Sequence, residues 1–170
     1  TTGVQSVGAI FGRGWDCIFR LLFGYGHRPA RVFLALVPFW CGVAALYGCI
    51  YSVGQMAPNS DVVLTSADWL AAVAAGAKDG VAPMLIWTGQ QGYAPKPSYE
   101  DYETFSAWLY AADLFIPLDA IGQESTWSPS HDRGVWGQVG YWARFPIQLT
   151  GWIIAAVGAA VVTGLVGKKE

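Results

Sequence analysis

The sequence predicts an all-α integral membrane fold. It has two transmembrane helices, an N-terminal interfacial helix, and a helical extracytoplasmic segment that includes a re-entrant helix. Three observations predict it. Of 170 residues, 54% are hydrophobic and only 13% are charged, against roughly 25% charged in ordinary soluble domains. Mean hydropathy is +0.35. Two uncharged runs, 22 residues over 32–53 and 20 residues over 147–166, each match the length that crosses a hydrocarbon core of roughly 30 Å. Basic residues gather at the ends of the chain, not in its middle.

Residues 1–31 are expected to be a cytoplasmic, interfacial segment. Val4, Val7, Phe11, Trp15, Ile18, Leu22 and Tyr25 recur at spacings of three and four, while Arg13, Asp16 and Arg20 fall elsewhere on the wheel. A Trp-bearing apolar stripe opposite arginines suits a helix lying in a membrane interface or packed on a partner. Gly24-Tyr25-Gly26-His27-Arg28-Pro29 then breaks the helix. Transmembrane helix 1 follows at 32–53, with Pro38 near its start.

Residues 54–146 are too many for a simple loop and are read as a periplasmic segment with helices near 66–79 and 99–116. Thr65-Ser66-Ala67-Asp68 and Ser98-Tyr99-Glu100-Asp101 supply capping boxes. Trp69, Leu70, Val73 and Ala77 form the first helix's apolar face, and Gly80 ends it. The second keeps helical spacing to Ile116 and stops at Pro117. Its apolar part, 105–118, is too short to span and is read as re-entrant, or as a surface helix capping the periplasmic side.

Transmembrane helix 2 occupies 147–166, and 167–170 form a cytoplasmic tail. Residues 1–31 hold four arginines against one acid, whereas 54–146 hold four basic residues and ten acids. By the positive-inside rule both termini are cytoplasmic and the middle lies opposite, in a bacterial inner membrane.

This order of elements resembles the two-transmembrane, pore-loop layout of the potassium-channel superfamily. More specifically, it is similar to channel-like membrane domains at the C-terminus of some bacterial multidomain proteins, including pentapeptide-repeat proteins. Gly24 to Pro29 and Phe105-Ser106-Ala107-Trp108-Leu109-Tyr110 carry the resemblance, and Ile121-Gly122-Gln123-Glu124 stands where such channels place a filter. The resemblance implies a pathway lined by Asp119, Gly122, Gln123 and Glu124. Asp119 replaces the filter threonine, Gln123 replaces its tyrosine, and only Gly122 remains of its two glycines. The implied pore is therefore a weakly selective cation path with a degenerate filter.

Helix packing is the clearest local pattern. Gly151, Ala155, Ala159, Thr163 and Gly167 repeat every four residues, and Ala44, Gly48 and Ser52 do the same in the first run. Such small-residue ridges let helices approach closely. Together with Trp15, the aromatics Trp136, Tyr141, Trp142 and Trp152 are read as an interfacial belt.

Catalytic signatures are missing. The sequence has no HExxH, P-loop or Rossmann fingerprint. Ser128, His131 and Asp132 make a triad only on paper, because near neighbours in sequence rarely face one another productively. Cys17, Cys41 and Cys49 suggest no disulfide. A net charge of −2 without a basic cluster excludes a nucleic-acid partner. No enzyme, metal or cofactor is expected. The chain reads as a non-catalytic membrane subunit or anchor within a larger assembly. Its expected partners are the lipid bilayer and other transmembrane subunits or copies of itself. The pore-loop subunit is the alternative.

Overall fold

The computed structural model describes residues 29–116 and 121–162, with side chains at 36–116, 121–156 and 159. The chain divides into two units at Gly42/Val43. In the first unit the described part is the start of helix α1 (Pro29–Ser52), which contains Pro38. The second unit carries the remaining elements in chain order. They are β1 (Met56–Pro58), α2 (Asp61–Leu64), α3 (Ala67–Asp79), α4 (Pro83–Trp87), α5 (Pro97–Glu100), α6 (Ala107–Phe115), α7 (Gln123–Thr126), β2 (Trp127–Pro129) and α8 (Val135–Val162). The interfacial helix expected within 1–31, including Trp15, the filter position Asp119, and Thr163, Gly167 and the tail fall outside the described residues.

Among the described residues, no helix is long and apolar enough to cross a membrane. This corrects the integral membrane fold, the two spans at 32–53 and 147–166, and the inner-membrane location with cytoplasmic ends. An uncharged run reports what a segment is made of, not what surrounds it. From Val43 onward the large side chains of α1 turn into protein. Val43, Tyr47 and Ile50 are buried, and the exposed positions over 43–52 are the small Ala45, Cys49 and Ser52. The second run is not a separate element. Its described part, 147–162, is the later part of α8, which starts at Val135 and carries Arg144 in its interior. Ile147 and Gly151 of that run are buried against the rest of the unit.

The core is built on tryptophan. Trp87 of α4 is fully buried. Its ring meets Trp69 at 5.5 Å, Tyr99 at 5.1 Å, Tyr102 at 5.3 Å and Trp127 at 6.1 Å. Tyr51 stacks on Phe105 at 4.5 Å and meets Trp127 edge-on. These tilted and edge-on pairs suit the ring quadrupole. The indole donors are satisfied as well. Trp87 Nε1 donates to Ser98 Oγ at 2.9 Å, and Trp127 Nε1 donates to the Glu103 carbonyl at 2.9 Å.

Local signals explain most helix ends. Ser66 caps α3, accepting from Trp69 N, and Gly80 closes it at a φ of 69° that favours glycine. The inward face of α3 is Trp69, Ala72 and Gly76, while Leu70, Val73 and Ala77 are exposed. The expected apolar face is thus turned by one residue. Small Ala72 and Gly76 let α3 lie close against the segment that carries α4. The single helix expected near 99–116 is two. Ser98 does not cap it, because its hydroxyl accepts from Trp87 and its amide donates to Asp68 Oδ2 at 3.0 Å. Ser106 caps α6, accepting from Leu109 N. The helix ends at Phe115, and Ile116 is extended ahead of Pro117, as the ring of a following proline requires.

A two-stranded antiparallel ribbon joins distant parts of the chain, with Met56 opposite Pro129 and Pro58 opposite Trp127. Gln55 extends the join. Its carbonyl accepts from Ser130 N at 2.8 Å, and its side-chain oxygen accepts from Gly137 N at 2.6 Å, at the start of α8.

Candidate functional site

Helix α8 has two unlike faces. The inner face runs through Gly137, Gly140, Ile147 and Gly151, all buried. These glycines are sites of close approach. A Cβ on Gly151 would strike the Phe115 carbonyl of α6, and one on Gly137 would strike the Ser130 carbonyl. At Gly140 a Cβ would come within 2.5 Å of Ile50 Cδ1. The Gly140 carbonyl accepts from the buried Tyr47 hydroxyl at 2.9 Å. Inner-face contacts therefore tie α8 to α1 and α6.

The outer face is apolar and exposed. Val135, Val139, Trp142, Pro146, Leu149 and Ile153 follow one another at spacings of four and three along it. Val135 is 73% exposed, Leu149 60% and Trp142 59%. Trp136, Phe145 and Trp152 flank this line and are exposed too. Arg144 is the only charged residue of the helix, and its guanidinium lies over the rings of Tyr141 and Phe145, 4.6 and 5.0 Å from their centroids. The stem and charge of Arg144 are thus laid against aromatic surface.

A polar network lies behind α6. Asp113 is buried and accepts from two backbone amides, Ile121 N at 3.2 Å and Glu124 N at 2.8 Å. Gln123 is also buried. Its amide oxygen accepts from Ser106 N, and its nitrogen donates to Glu103 Oε1 and the Thr104 carbonyl. Glu124 Oε1 accepts from Gln148 Nε2 of α8 at 2.5 Å. The Tyr110 hydroxyl is buried beside this network and has no hydrogen-bond partner among the described residues. Burial, followed by the neighbouring Tyr47 and Glu124, holds its ionisation well above the ordinary tyrosine range.

No family model, curated protein or solved structure matches the chain. Its residues must therefore be judged by where the fold puts them. Of the filter-like set, Gln123 and Glu124 are engaged in the hydrogen bonds just described, and Gly122 sits at a φ of 81° where α7 begins. Of the small-residue ridge, Gly151 and Ala44 are buried, Gly48 lies 3.5 Å from the Ala107 side chain by its would-be Cβ, and Ser52, Ala155 and Ala159 are exposed. The ridge in contact is Gly137–Gly140–Gly151, displaced toward the start of α8 from the one expected. Sequence reasoning missed Gly137 and Gly140 because it took the helix to begin only at 147.

Of the aromatics expected as a belt, Tyr141 and Trp142 meet in ring contacts. His131, Tyr141, Trp142 and Phe145 form a chain of ring contacts of 5.2–6.4 Å. His131 Nδ1 and Asp132 Oδ1 lie 2.9 Å apart, but both residues are exposed. Among the described residues no group of three or more His, Cys, Asp or Glu could hold a metal ion.

Proposed function

We propose that this chain is a non-catalytic subunit that holds a place in a larger protein assembly and docks through the outer face of α8. One observation carries the reading. A helix of 28 residues is anchored on one side by close glycine contacts and presents large apolar side chains in register on the other. Soluble monomers rarely expose contiguous apolar patches beyond a few hundred Å² unless they bind something there. Tryptophan is also among the side chains that dominate binding hot spots. Asp113, Gln123 and Glu124 are engaged in hydrogen bonds that build the fold. The pore alternative needs Gln123 and Glu124 directed at a pathway, and their hydrogen bonds favour the docking reading instead.

The test replaces Val139 and Leu149 together with Glu and isolates the tagged chain from its native cells. The expected result is loss of co-isolated chains with an unchanged far-ultraviolet circular dichroism spectrum. Equal recovery of those chains overturns the proposal.

A further inference from the structure

We infer that the occupant of the α8 outer face is a second copy of this chain. The inference rests on the docking reading above and names its partner. Three features point to a copy. First, the exposed line Val135, Val139, Trp142, Pro146, Leu149, Ile153 keeps an unbroken alternation of four and three. That is the 3.5-residue period with which one helix packs lengthwise against another. A groove or pocket in a partner would not require so long a repeat.

Second, the area suffices for a pair. Aromatic side chains bury roughly 150–250 Å² each when covered, and Trp136, Trp142, Phe145 and Trp152 of this face are aromatic and exposed. Scaled by the exposures along α8 and its flanking aromatics, the face offers on the order of 700 Å² per chain. Two such faces clear the roughly 1,200 Å² at which stable interfaces begin. Third, electrostatics permit self-pairing. Arg144 is the only charge on the helix, and it is folded over Tyr141 and Phe145 rather than projecting from the line. Two identical faces therefore meet without like charges opposed. A two-fold pair of this kind is self-complementary and closed, so it ends at two copies.

The mass of the purified full chain, measured by light scattering during gel filtration over a hundredfold concentration range, tests the inference. The expected result is a species of twice the 18.3 kDa chain mass. The Val139→Glu and Leu149→Glu double variant should shift to the single-chain mass, and Leu149→Met should not. Because a Glu variant can misfold, near-ultraviolet circular dichroism must show the tryptophan core intact. If it does not, Val135→Lys at the most exposed position serves in its place. A single-chain mass at every concentration overturns the inference. If that monomer still captures a different chain through α8, the docking reading survives and the second copy alone falls. If it captures none, both fall. Flotation of a monomer with phosphatidylcholine vesicles, abolished by the same substitutions, also overturns the second copy as occupant.

Discussion

Burial shows in single residues as altered ionisation. Tyr47, Tyr51 and Tyr110 all have hydroxyls held above the ordinary tyrosine range, with burial as the largest cause in each. In the unfolded chain the same hydroxyls ionise near pH ~10. The folded form thus keeps its protons longer than the unfolded form does. Stability from these groups is complete below about pH 10 and is lost as pH rises beyond it, because only the unfolded chain then gains by ionising. We expect tyrosinate absorbance to lag behind the ordinary titration and then to rise together with loss of ellipticity. A gradual titration on an unchanged fold would contradict this. None of it was visible in the sequence, where Tyr47 and Tyr51 are two aromatics within an uncharged run. Their burial depends on Gly140 and Phe105, 93 and 54 residues away in the chain. Asp113 is similar. In the sequence it is only a lone acid within a short apolar segment, and the fold makes it the acceptor for the amides of Ile121 and Glu124.

Individual elements were more legible than their surroundings. Ser66 and Gly80 mark the ends of α3 by local chemistry alone, and Pro117 marks where α6 must stop. These signals act within a turn, so a single chain carries them in full. The break at 101–106 was not legible, because Ser98 is drawn away by Trp87 and Asp68, which are distant in sequence. The two long runs misled for a related reason. Absence of charge is shared by helices in lipid and helices in a protein core, and only the partners of Tyr47, Ile50 and Gly151 separate the cases. Close packing at Gly151 yields a direct prediction. Gly151→Val must push α8 away from the Phe115 carbonyl, and over-packing of this kind costs about 1–3 kcal/mol. Urea unfolding should show that loss, whereas Ala155→Val on an exposed position should stay within about 0.5 kcal/mol. Equal effects at both positions would refute the assignment of the inner face.

At the level of the whole molecule, only part of the apolar surface is used to build the core. One part closes the core around Trp87 and Trp127. Another part stays exposed, and its longest continuous line among the described residues lies on the outer face of α8. The sequence pointed to an assembly subunit through its abundance of packing surfaces and its shortage of catalytic groups. It read the small-residue ridge as a surface along which helices approach closely, and the aromatics as an interfacial belt. The structure turns Gly137, Gly140 and Gly151 inward and leaves large apolar side chains exposed on the opposite face of α8. The central claim is that this face is covered by protein. Its most direct measurement places a photo-crosslinking amino acid at Leu149 in the native cell and, as a control, at the solvent-facing Lys78 of α3. The account predicts a discrete protein–protein adduct from position 149 and none from 78. Illumination that leaves the position-149 chain as uncrosslinked monomer would contradict it.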